Sequence, residues 1–160
     1  MEVSVIQVSR IEIGTNGLPV CARCGAVGTP VFRSAEEVAA EISGIQADRA
    51  DGIDLVWLGG TEAFSHPALP AIIAETIATG ARRVGLETAG ALLAAGGNAQ
   101  GALHAGVRHV DVRYVPGTDT ERANEHDFQL AGIREFVRAA QEVGAGVAVA
   151  ATLPACRHTA

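Results

Sequence analysis

The strongest constraint on this chain is the stretch Ile53-Asp54-Leu55-Val56-Trp57-Leu58, an apolar run closed by Gly59 and Gly60. A run of that length ending in glycine reads as a short buried strand. Pro67 then opens an amphipathic stretch in which Leu69, Ile72, Ile73 and Ile77 share one helical face. Strand, glycine turn and helix together make a βα unit. Its loop falls at the carboxyl end of the strand, where such folds hold their ligands.

The unit recurs along the chain. Met1–Ile13 alternates loosely (Val3, Val5, Ile6, Val8, Ile11, Ile13) and is expected as the first strand. Residues 14–31 have no helical period and read as a long loop. Ser34 with Glu37 three residues on forms a capping box ahead of Val38, Ile42 and Ile45 at helical spacing. Gly80 ends the helix begun near Pro67, and Arg83–Glu87 is a third strand. Ala91–Ala105, broken by Gly96, Gly97 and Gly101, predicts one short or interrupted helix. Val107–Val112 is a fourth strand, Pro116–Asn124 a polar loop, and Phe128, Ile133, Phe136, Val137, Ala140 and Val143 mark a helix closed by Gly144. Val147–Ala151 is the fifth strand.

Connections of this length make neighbouring strands parallel and place every loop after a strand on one edge. The fold class is therefore α/β, a partial TIM-like (βα) barrel or open sheet with about five parallel strands. Residues 1–160 read as one domain, with a cysteine-bearing loop at 14–31 and a C-terminal tail at 152–160. The units share no residue signature, which disfavours a solenoid.

Composition narrows the function classes. Twelve Lys and Arg against 18 Asp and Glu give a net charge of -6, with no basic run and no basic–aromatic alternation. A nucleic-acid partner is not expected. No stretch of 18 apolar residues and no charged-then-apolar leader is present, so a cytoplasmic protein without membrane attachment is expected.

Cys21 and Cys24 form a CxxC, a spacing shared by zinc, thiol-redox and iron–sulfur sites. Gly25, Gly28 and Pro30 follow it, so no helix start is in place to lower a thiol pKa. A metal site needs further ligands. Cys156 and His158, just past the fifth strand, fall at the same edge of the sheet and offer a second pair. The plain alternative is a cysteine in a frayed tail.

In this order the features resemble the radical S-adenosylmethionine (radical SAM) superfamily, from about Ser9 to Ala151. Cys21 and Cys24 match the second and third cysteines of the family's CxxxCxxC motif, while Gly17 stands where the first would be and Arg23 where an aromatic residue is usual. Gly59-Gly60-Thr61-Glu62 resembles the family's glycine–glycine–acid stretch, and Leu86-Glu87-Thr88-Ala89-Gly90 its hydrophobic–Thr–Asn–Gly turn, with alanine for asparagine. The resemblance implies a 4Fe-4S cluster on Cys21 and Cys24, with Gly59, Gly60 and Glu62 meeting the amino group of S-adenosylmethionine. It places Asp111 and Arg113 near the cofactor's ribose and carboxylate. The implied activity is reductive cleavage of the sulfonium and hydrogen abstraction from a substrate. With Gly17 in the motif, a third ligand has to come from elsewhere, and Cys156 is the free cysteine. The family core has six βα units and five strands are readable here. The open edge implies a homodimer or a complementing protein partner.

Two other readings stand beside this one: a non-catalytic pseudoenzyme or assembly subunit that keeps the fold, and a zinc module built from Cys21, Cys24, Cys156 and His158. Residue by residue, Glu62 reads either as an exposed first-turn charge or as an amine acceptor. His66 reads as a capping or loop residue. A buried Glu87 needs a partner such as Arg113 or Arg82. Asp111 and Arg113 share sheet parity, which allows an internal ion pair or a ligand contact. Asp119, Glu121, Glu125, His126 and Asp127 form a polar loop that is either solvated or a divalent-ion site. Trp57 reads as core or dimer surface.

Overall fold

A computed structural model of the chain describes residues 7–16, 29–48, 52–114 and 120–152. Five strands form one parallel sheet in the order β1 (Val8–Glu12), β4 (Leu55–Gly59), β5 (Val84–Thr88), β6 (Val107–Arg113) and β7 (Ala148–Thr152). The helices between them are α1 (Ala35–Ala47), α2 (Leu69–Ala78), α3 (Asn98–His104) and α4 (Thr120–Glu142). This is the architecture of a partial TIM-like barrel. A two-residue antiparallel ladder, β2 (Gly14–Thr15) with β3 (Val31–Phe32), corrects the expectation of an unbroken loop over 14–31. It fastens the two ends of that segment to each other.

The helices cover one face of the sheet. Ile11, Val56, Leu58, Val84, Leu86, Val110 and Val112 alternate toward Val38, Ile42, Ile72, Ile73, Leu103, Phe136 and Ala140 in a single buried core. The opposite, concave face carries different chemistry. Register aligns Arg10, Trp57, Gly85, His109 and Ala148 in one row across it. Glu12 pairs with Gly59, and Glu87 with Asp111 and Ala150, in the next row toward the carboxyl edge. An α/β layer covered on both sides would place apolar residues here. β7 lies at the edge of the sheet and is exposed along Ala148–Ala151.

Local expectations held where they rested on short-range chemistry. The capping box is formed, with the Glu37 N–H donating to Ser34 Oγ at 3.2 Å and the Ser34 N–H to Glu37 Oε2 at 2.8 Å. Gly80 and Gly144 follow their helices at φ +98° and +64°, conformations that cost glycine little. Three expectations are corrected. Pro67 follows the short 3-10 turn Ala63–Ser65 and does not open the helix itself; α2 starts at Leu69 and Pro70 is its first-turn proline. Residues 120–124 of the expected polar loop belong to α4, and 116–119 lie outside the described residues. Phe128, Ile77 and Val143 are exposed despite their helical spacing, because the core has contacts for only part of each apolar arc.

Candidate functional site

The carboxyl ends of β4, β5 and β6 meet around two buried carboxylates. Gly59 ends β4 with no room for a side chain, since a Cβ there would run into the carboxylate of Glu87. Gly60 follows at φ +84°, and a Cβ there would strike the Gly14 carbonyl oxygen. Gly60 accepts only glycine, for space and backbone conformation, while a Cβ at Gly59 would have to push back the Glu87 carboxylate that Arg10 and Arg113 hold. Thr61 is fully buried, and its hydroxyl is without a hydrogen-bond partner among the described residues.

Glu62 is buried at 6% exposure, which corrects the reading of an exposed charge. Its Oε1 accepts from the Phe64 N–H at 3.1 Å and the Thr88 hydroxyl at 2.7 Å, and its Oε2 from the Ala89 N–H at 2.5 Å. The side chain thereby caps the 3-10 turn Ala63–Ser65 and ties the loop after β4 to the loop after β5. Burial pushes its pKa above the ordinary carboxylate value, against the pull of the donors at Ala89, Thr88 and Phe64. His66 is a loop-fixing residue: the Ala68 N–H donates to Nδ1 at 3.0 Å, so Nε2 carries the proton and donates to the Arg33 carbonyl at 2.9 Å.

Glu87 is buried at 4% exposure and holds two cations. Arg10 Nη2 reaches Oε2 at 2.8 Å and Arg113 Nη2 reaches Oε1 at 3.3 Å, while the Gly60 N–H adds a bond to Oε2 at 3.3 Å. Arg113 is the partner the sequence suggested; Arg10 was missed, although its parity with Glu12 on the first strand was a usable signal. Arg82 instead pairs with Asp54. The internal Asp111–Arg113 ion pair is not formed. The Thr152 hydroxyl lies 2.8 and 2.9 Å from the two carboxylate oxygens of Asp111, and Arg113 is turned to Glu87.

Gly60, Glu62 and Arg113 thus fall on one end of the sheet, joined through Glu87 and Thr88, with Gly59 packed on Glu87 and Asp111 beside them on Thr152. Cys21, Cys24, Cys156 and His158, and Gly17 with them, lie outside the described residues. Among the described residues, no group of three or more His, Cys, Asp or Glu side chains is placed to hold a metal ion. Of the polar segment 119–127, His126 is met by the Tyr114 hydroxyl at Nδ1, 2.5 Å away, and serves to hold α4 against the end of β6.

No protein-family model matches the chain, and no curated protein matches it. Among solved structures, the crystal structure of BtrN in complex with AdoMet and 2-DOIA is similar, with a TM-score of 0.56 over 92% of this chain. BtrN is a radical SAM enzyme. This chain has a radical SAM-like fold. Sequence identity to BtrN is 15%, and the chain spans 57% of that protein's length. Among the described residues, no helix is long and apolar enough to cross a membrane.

Proposed function

We propose that this chain is a radical SAM-like domain whose Gly59–Glu62 loop receives the amino group of S-adenosylmethionine, with Cys21 and Cys24 binding an iron–sulfur cluster. The observation that carries this reading is the loop itself. Two successive glycines with no room for a Cβ sit beside a fully buried, unpartnered Thr61 hydroxyl, at the carboxyl edge of a radical SAM-like sheet. The glycines let the Glu87 carboxylate and the Gly14 carbonyl oxygen close against the loop, which fixes its backbone at the strand end. When bound, a 4Fe-4S cluster with S-adenosylmethionine supplies one-electron reductive chemistry.

The chain's own residues orient and enclose. Glu62 locks the loops after β4 and β5 together through Thr88 and Ala89. Glu87 holds Arg10 and Arg113 on the concave face, and Asp111 and Arg113 would line the ribose and carboxylate side. Cys21 and Cys24 provide two thiolates, and the third ligand would come from Cys156 or from a second chain. A homodimer or a complementing partner would cover β7, an edge strand with a largely exposed backbone surface.

Gly17, in the place of a thiolate, favours a second reading: a relative that keeps the fold without the cluster. Metal content of protein purified without oxygen separates these. About four irons and four sulfides per site, lost on Cys21→Ala, supports the cluster. About one zinc, lost on Cys156→Ala or His158→Ala, means a zinc module instead. Neither metal, in a folded protein, sinks the enzymatic reading in favour of the non-catalytic one.

A further inference from the structure

We propose that the concave face of the sheet binds a small aromatic ammonium, its ring on Trp57 and its cationic nitrogen on Asp111. This goes beyond the reading above and gives Asp111, which that reading sets beside the cofactor's ribose and carboxylate, to a second ligand; the probes below are titrated on the chain without cofactor, so the cysteines do not enter it.

Trp57 is the single tryptophan of the chain. A Cβ built on Gly85 would lie 2.6, 2.8 and 2.9 Å from Cε3, Cζ3 and Cδ2 of its indole. Three ring atoms at nearly equal height mean that the indole lies flat across the β5 backbone. One of its faces is sealed by Gly85, and the other is turned away from the sheet on a half-buried residue. His109, in the same row, stands nearly perpendicular to it at 78° with the ring centroids 6.2 Å apart. Flat floor and upright wall together make a slot for a planar ring. The Nδ1 of His109 is buried and has no hydrogen-bond partner among the described residues. Burial first, and the charge of Arg83 second, push its pKa down, so the imidazole is neutral at pH 7 and adds no positive charge to the slot.

The charges nearest the carboxyl edge decide the sign of the ligand. Glu12, Glu87 and Asp111 face two cations, Arg10 and Arg113. Both guanidinium groups are committed to Glu87. Among the described residues, Glu12 and Asp111 have no cationic partner, and Asp111 meets only the Thr152 hydroxyl. Among these described residues, one negative charge is therefore left over at this end of the face. Arg83 stands at the opposite, amino end, beyond His109. Asp111 lies two strands and one row from Trp57, a backbone span of roughly 12 Å that the indole shortens by reaching over β5. A ring carrying its nitrogen on a short alkyl spacer fits that span. The indole face also favours a cation over an anion.

The sole tryptophan makes the test direct on the full chain. Trp57 fluorescence is titrated with 2-phenylethylammonium, with 3-phenylpropionate (same ring, opposite charge) and with 2-cyclohexylethylammonium (same charge, no flat ring). The aromatic ammonium is expected to change the emission saturably. The carboxylate and the cyclohexyl amine are expected to bind more weakly, the carboxylate by about tenfold or more, and Asp111→Asn is expected to weaken the aromatic ammonium about tenfold. Equal affinity for ammonium and carboxylate overturns the role of Asp111, equal affinity for the cyclohexyl amine overturns the stacking, and no saturable change with any probe overturns the site. Should Asp111→Asn fail to fold, the comparison of the three probes on the unaltered chain decides.

Discussion

Replacing Glu87 by Gln removes one charge and leaves the shape, and the structure says where the cost falls. The amide oxygen can keep the acceptor position that serves Arg10 and the Gly60 N–H, now without charge assistance. The amide NH2 then faces Arg113 Nη2, donor against donor, at a position where a bond of 3.3 Å was made. Hydrogen bonds to charged groups contribute about 1.5–3 kcal/mol when buried. Arg113 has a side chain 23% exposed, so its loss costs toward the lower end of that range. Arg10 is 49% exposed, and solvent screening cuts its share to well under 1 kcal/mol. Roughly 2 kcal/mol is expected in total. Urea denaturation at neutral pH, with a slope of about 2 kcal/mol per molar for a chain this size, should show a midpoint lowered by about 1 M. A double-mutant cycle should find Glu87 coupled more strongly to Arg113 than to Arg10. A midpoint within about 0.3 M of the unaltered protein would refute the claim that Glu87 is the junction of the site.

Two further predictions use the same measurement. Gly101→Ala in α3, where nothing lies within 4 Å of the new Cβ, should stabilise by about 0.5–1 kcal/mol, and Gly132→Ala in α4 should destabilise despite the same helical gain, because its Cβ would strike the Gly90 carbonyl oxygen; equal effects at the two positions would show that α4 does not approach that loop so closely. For Glu62, burial raises the folded-state pKa, so its contribution to stability is fully present below the unfolded value near 4.5 and is lost as pH rises through the raised pKa. The unaltered protein should therefore lose stability relative to Glu62→Gln across that window, and parallel stability curves from pH 4 to 8 would count against it.

Legibility followed the range of the forces. The capping box at Ser34 and Glu37, the strand Leu55–Gly59 and the helix stops at Gly80 and Gly144 depend on neighbours within a turn or two, and the sequence carries those neighbours. Glu87 was recognisable as a buried acid in need of a cation, and Arg113 was named correctly. Arg10 was not, because it is 77 residues away and only the β1–β4–β5 order brings it near. The exposed Phe128 and Ile77 failed for the complementary reason: a helical period says which residues share a face, and not how much of that face finds a partner.

By itself, then, the sequence determined the alternation of strand and helix, the parallel sheet that such connections require, and the edge at which its glycine loops gather. These follow from hydrophobic period, turn residues and chirality, all properties of short segments. Only the tertiary structure decided which acids are paired. Parity put Asp111 and Arg113 on one face, yet Arg113 went to Glu87 and Asp111 to Thr152, because carboxylate and hydroxyl from adjacent strands lay within hydrogen-bonding reach. It also decided that Trp57 lies flat over Gly85 instead of in the core. Side-chain partners across a sheet are fixed by strand order and register, and those are set by the packing of the whole chain.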